Sequence, residues 1–196
     1  AALENPEDAV ARFELGILYK EMKEYRLAVP ELRAAIMIRP DLVVQYLHLA
    51  EIYIEGNGYN EARLLLEKAT ALEPSDHRMK LRLAFVRAQL GLLSEAERDF
   101  KYTLASFPEW NEALSGLGNV YLLQGRLNDA LKYFLLAIEA NPKEPESLYN
   151  AALTLERLNR SREAIDYYER FVSTAPKGYE AAVKAANERI RSLKGF

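Results

Sequence analysis

Pro6, Pro40, Pro74, Pro108, Pro142 and Pro176 stand 34 residues apart without a slip, and only Pro30 and Pro145 fall off this ladder. A fixed period of this length requires a stack of equivalent small units, because no unit of 34 residues buries its own apolar face. Two more ladders run in register with the prolines. One is Ala28, Ala62, Ala96, Ala130 and Ala164; the other is Gly16, Ala50, Ala84, Gly118 and Ala152.

Each ladder has its own physical meaning. The prolines follow apolar-periodic stretches, where a helix must stop because Pro cannot continue it. Between them the pattern reads helix, short turn, helix, with the turns marked by Gly56 and Gly58, by Gly91, by Gly125 and by Asn159. The Gly16 and Ala28 ladders place small side chains on facing sides of the two helices. Large ones fill the neighbouring places: Tyr19, Tyr53 and Tyr121 in first helices, and Leu32, Leu66, Phe100, Phe134 and Tyr168 in second helices. Arg87 stands where a large residue stands in other repeats, which predicts a looser third repeat with Arg87 snorkelling or paired to a carboxylate. Pro30, early in a second helix, predicts a mild bend.

The order Leu-Gly, Tyr, Ala, Phe, Ala, Pro within 34 residues resembles the tetratricopeptide repeat (TPR) family, most clearly in "NEALSGLGNVYLLQGRLNDALKYFLLAIEANPKE", Asn111 to Glu144. The resemblance implies an all-α fold, a right-handed α-α superhelix made as a single array over residues 1–196. The expected repeats are Ala9–Leu42, Val43–Asp76, His77–Trp110, Asn111–Glu144 and Pro145–Gly178. Residues 1–8 read as the tail of a truncated preceding repeat, and Tyr179–Phe196 as a closing helix. Phe171 stands where other repeats carry Ala35, Ala69 and Ala137, and is expected to meet the Ala-rich face Ala181, Ala182, Ala185 and Ala186.

In the family the first helices line a concave groove that holds a peptide or helix. By that resemblance the groove places are Val10, Phe13 and Ile17 in the first repeat, and Val44, Leu47, His48 and Glu51 in the second. Arg78, Leu81, Arg82 and Phe85 follow in the third, with Asn119, Tyr149 and Asn150 beyond. The first half is unusually apolar for a solvent-facing surface, which marks a binding site. Arg78 and Arg82 are one turn apart, so both are expected to meet one carboxylate or acidic segment.

A subclass of the family clamps the C-terminal carboxylate of heat-shock chaperones with lysines, asparagines and an arginine. Arg78 and Arg82 fall at two cationic clamp places, but Phe13, Ile17 and His48 stand where a lysine and two asparagines are needed. A second frame offers Asn119, Asn150 and Lys184, with Ser115 and Glu180 in place of lysines. Neither frame is complete, which disfavours that activity.

Composition narrows the function further. A net charge of −3 gives no general attraction to nucleic acid, and the basic stretch "HRMKLRLAFVRAQL" follows an acidic second repeat, so no continuous phosphate-tracking stripe exists. There are 2 histidines, no cysteine and no phosphate-binding glycine loop, so no metal, cofactor or catalytic residue is expected. No apolar run is long enough to span a membrane. The compartment stays open, with a cytoplasmic setting favoured over a periplasmic one. The expected function is a non-catalytic protein-interaction scaffold, an assembly factor or adaptor, whose ligand is an apolar segment with an acidic flank. The alternatives are a self-assembly (homo-oligomerising) module, or the recognition arm of a larger enzyme. A chain that starts without Met and inside a repeat favours truncation.

Overall fold

The computed structural model describes residues 8–195, and every regular element among them is an α-helix. The chain divides into two compact units, Ala1–Leu92 and Leu93–Phe196. The first holds α1 (Ala9–Glu21), α2 (Tyr25–Ile38), α3 (Val43–Glu55), α4 (Tyr59–Leu72) and α5 (His77–Gln89). The second holds α6 (Leu93–Ser106), α7 (Asn111–Leu123), α8 (Leu127–Ala140), α9 (Pro145–Arg157), α10 (Ser161–Thr174) and α11 (Glu180–Lys194). Within each unit every helix packs on the next in sequence. The tail expected at the N-terminus lies outside the described residues, save Asp8, whose carboxylate caps α1 by accepting from the Val10 and Ala11 amides at 3.0 and 3.1 Å.

The small-against-large pairing sets how closely helices approach. A methyl group built on Gly16 would lie 2.7 Å from Leu32 Cγ, and one on Gly118 would lie 2.7 Å from Phe134 Cε1. Both are well inside carbon–carbon contact distance, so the glycine is required for the approach. Leu32 and Phe134 are fully buried, as are Leu66, Phe100 and Tyr168 at the same repeat position. Gly116 does the same toward the preceding helix: its methyl would lie 2.5 Å from the Phe100 ring. It stands off the small-residue ladder, so the period gives no sign of it.

The turns inside the helix pairs fall where the glycines and Asn159 mark them. The left-handed residues are Lys23, Asn57, Gly91, Gly125 and Asn159, at φ of 60°, 57°, 76°, 74° and 59°. In the second turn Asn57 takes this conformation, not the glycines beside it: Gly56 and Gly58 have φ of −86° and −79°. The repeat geometry assigns the conformation by position, and Asn tolerates it better than most residues. Lys23 has no such tolerance and is strained.

Arg87 turns back within the first unit and donates to Glu67 Oε1 at 3.1 Å, so the carboxylate pairing expected for it is present. Phe171 is buried, but its ring neighbours are Tyr149 and Tyr179, at 5.3 and 6.2 Å between centroids. Of the Ala-rich face expected to meet it, Ala186 is buried and Ala181 is exposed. α11 docks on α10 and buries Ala186 and Ile190.

Candidate functional site

The first helices of the first unit, α1, α3 and α5, carry most of the expected groove residues. Three of these are apolar and substantially exposed: Val10 at 57%, Val44 at 43% and Phe85 at 40%. Phe13, Ile17, Leu47 and Leu81 are half-buried beside them. Aromatic contacts join α1 to α3 and α5 to α4. The Phe13 ring of α1 meets the His48 ring of α3 at 5.7 Å, and Phe85 of α5 meets Tyr59 edge-on at 6.5 Å.

A charged cluster lies on the same face, centred on Glu51. Lys20 Nζ donates to Glu51 Oε2. His48 Nδ1 stands 3.2 Å from that oxygen and 3.2 Å from Lys20 Nζ. A protonated Nδ1 donates to the carboxylate, while an unprotonated one accepts from the ammonium. Arg82 Nη2 approaches Glu51 Oε1 at 3.9 Å from α5. The hydrogen bond from His48, with that from Lys20, outweighs partial burial and pulls the Glu51 carboxyl down to about 2. Lys20 is absent from the sequence-derived set; it lies three residues beyond Ile17 on α1, on the same helical face.

Within this chain Arg78 and Arg82 face different carboxylates. Arg78 Nη2 donates to Asp76 Oδ2 at 3.1 Å, and its backbone amide donates to Asp76 Oδ1 at 2.8 Å. Asp76 is the N-cap of α5, so Arg78 is held at the helix end while Arg82 leans toward α3. Both remain largely solvent-exposed, their side chains at 75% and 54%.

Three expected residues lie in the second unit. Asn150 Nδ2 donates to Asn119 Oδ1 at 2.9 Å, joining α9 to α7. Tyr149 differs from a free groove residue: its ring packs edge-on against Tyr168 and Phe171 of α10, at 5.6 and 5.3 Å. Among the described residues no group of His, Cys, Asp and Glu is arranged to hold a metal ion, and no helix is long and apolar enough to cross a membrane.

Sequence profiles of the tetratricopeptide repeat match residues 9–42, 47–99, 86–145 and 133–166. The chain is 26% identical over 190 residues to the human (Homo sapiens) protein O-mannosyl-transferase TMTC1, covering 95% of this chain and 21% of that protein. It is 32% identical over 119 residues to the 131 kDa subunit of transcription factor tau of Saccharomyces cerevisiae, covering 58% of this chain and 11% of that subunit. The chain thus spans about a fifth or less of the length of these relatives. Among solved structures it superimposes on PilW, a type IV pilus biogenesis factor, with a TM-score of 0.84 at 20% identity, covering 95% of this chain and 86% of that one. It also superimposes on YrrB, a protein with an unusual peptide-binding site, with a TM-score of 0.73 at 20% identity and 95% of both chains covered. At such identities the likeness is one of fold. With its 34-residue period, its helix pairs and its close-packed small residues, the chain belongs to the tetratricopeptide repeat family.

Proposed function

We propose that this chain is a non-catalytic protein-interaction scaffold, and that the face made by α1, α3 and α5 takes an apolar segment of a partner protein with an acidic flank. The observation that carries this reading is the exposure of Val10, Val44 and Phe85 on three helices in one unit, beside the solvent-facing guanidinium groups of Arg78 and Arg82. Isolated exposed apolar residues need no explanation, but three on neighbouring helices form an apolar surface that binding would remove from water. The arginines supply planar donors for carboxylates at its edge. Roles as an assembly factor or adaptor, and the repeat boundaries given above, belong to the same proposal.

The test is selection of binders from a random peptide library, followed by titration of the best peptide. A Val10→Ser/Phe85→Ser variant of the whole chain should bind about ten-fold more weakly, from the loss of about 1.5 kcal/mol or more of apolar burial. Both positions are exposed, so its helicity should match the parent. Equal affinity of parent and variant, or selected peptides without acidic residues, would overturn the reading. A second reading, the recognition arm of a larger enzyme, is favoured by the partial match to an O-mannosyl-transferase. Reading the gene on both sides of this segment tests it: a transferase domain in frame supports it, and none refutes it.

A further inference from the structure

The first unit carries a second apolar surface. α2 and α4 both pack on α3, and Tyr46, Leu49 and Tyr53 of α3 floor a cavity of about 310 Å³ between them. These three lie about half a turn around α3 from Val44, Leu47, His48 and Glu51. Met37 of α2 and Leu64 of α4 form its walls and are 84% and 54% exposed. In the other four repeats the place of Met37 is held by Ala71, Ala105, Glu139 and Ser173, and that of Leu64 by Pro30, Arg98, Lys132 and Asp166. No other pair of neighbouring repeats sets large apolar side chains at both places. Single exposed apolar residues need no explanation, but these two share one cavity with the half-buried Ile36 and Leu65 and so form a continuous groove.

The polar groups of the groove indicate what would cover it. Arg33 Nη2 donates to the Tyr53 hydroxyl at 2.5 Å, and its guanidinium carbon stands 6.0 Å from the centre of that ring. The hydroxyl accepts this bond, and its own O–H has no acceptor among the described residues. Arg33 has no carboxylate partner among them, and Lys68, on the α4 wall, has neither a hydrogen bond nor an ion pair. Three donors thus line an apolar groove with no anion to meet them. The one carboxylate lining the cavity, Glu61, stands in the first turn of α4, where the positive end of the helix offsets its charge. A ligand with an apolar body and carboxylates complements this set. The walls are helices whose backbone groups bond within themselves. An extended segment would find no main-chain partners there, whereas a helix satisfies its own and presents an apolar stripe at i, i+3, i+4 and i+7.

We propose that the groove between α2 and α4 docks an acidic amphipathic helix of a partner protein, its apolar stripe on Met37 and Leu64 and its carboxylates on Arg33, Tyr53 and Lys68. This groove and the face made by α1, α3 and α5 use opposite sides of α3, so the two sites can be tested apart. The chain has 3 methionines, so labelling their methyl groups with 13C gives three NMR signals, and Met37→Leu identifies that of Met37. Met79 is buried and Met22 lies at the end of α1, so Met37 alone reports on the groove. The probe is the peptide Ac-Glu-Leu-Ala-Glu-Leu-Leu-Ala-Glu-Leu-Ala-Glu-Leu-Leu-Ala-Glu-Ala-NH2, titrated into the full chain. Its control has Gln for every Glu, which keeps the helix propensity and removes the charge. The expected result is a saturable shift of the Met37 signal, with the Gln peptide about five-fold weaker. Leu64→Gln and Lys68→Glu, both at exposed positions, should each weaken the acidic peptide about five-fold with helicity unchanged by circular dichroism. The Val10→Ser/Phe85→Ser variant should leave the Met37 titration as it is. A Met37 signal unmoved by about 1 mM peptide, equal binding of the Gln peptide, or equal affinity of either groove variant would overturn the proposal. So would loss of the shift in the Val10→Ser/Phe85→Ser variant, which would place the peptide on the other face. A Met37 signal that moves with protein concentration alone would also overturn it, since a second copy of the chain would then be the occupant.

Discussion

Gly118→Ala isolates the contact that spaces α7 from α8. The added methyl would lie 2.7, 2.8 and 3.1 Å from three carbons of the fully buried Phe134 ring. Carbon atoms prefer about 3.5–4.0 Å, so the ring or the helix must shift by about 1 Å. Such overpacking costs about 1–3 kcal/mol, while Ala in place of Gly in a helix interior returns about 1 kcal/mol. The net change is a loss of about 0–2 kcal/mol, too small in isolation to identify its cause. Repeating the change in a Phe134→Ala background makes it decisive. Alanine removes every atom that the added methyl would meet, so Gly118→Ala should there stabilise by about 0.5–1 kcal/mol, its helix propensity alone. The coupling between the two sites is then about 1–3 kcal/mol. Urea unfolding of the four proteins, followed by far-UV circular dichroism with the m-value checked for constancy, measures it. A coupling below about 0.5 kcal/mol would refute the close-approach account of the glycine ladder.

The other predictions concern the turns, the second close glycine and the acid limb. Lys23→Gly should raise stability by about 1 kcal/mol, because Lys23 sits at φ 60° where glycine is unstrained, and Gly125→Ala at φ 74° should lower it by a similar amount. Thermal melts check both, and equal melting temperatures for both variants and the parent would contradict them. Gly116→Ala should destabilise through the 2.5 Å approach to Phe100 and be relieved by Phe100→Leu, measured by the same urea cycle. Glu51 and Glu97 are each pulled from an ordinary 4.5 to about 2, Glu51 chiefly by hydrogen bonds from His48 and Lys20, and Glu97 chiefly by that from Lys101. Their folded values lie below the unfolded ones, so the stabilisation is complete above pH 4.5 and is lost as pH falls toward 2. Melting temperature should therefore fall across that window, and more shallowly for a Glu51→Gln/Glu97→Gln variant; parallel curves would exclude the assignment.

The helices, their pairing and the small-against-large contacts could all be read from residue order. Gly16 against Leu32 and Gly118 against Phe134 follow from a 34-residue period that repeats the same local chemistry. Helix formation and capping act over a few residues, and a repeat multiplies that signal until no alternative register survives. What stayed hidden depends on where long or adaptable groups come to rest. Left-handed backbone falls on Lys23 and Asn57 because the helix-pair geometry fixes the position of the turn, whatever residue occupies it. Gly116 reveals its purpose only once the Phe100 ring is seen against it. Arg78 and Arg82, equivalent by spacing, part company because a helix cap holds one and Glu51 on a neighbouring helix draws the other. Lys20 joins that cluster, and Tyr149 turns inward, for the same reason: flexible side chains choose among partners brought from distant positions by packing. Spacing along one helix specifies which side chains can meet, but the approach of separate helices selects which of them do.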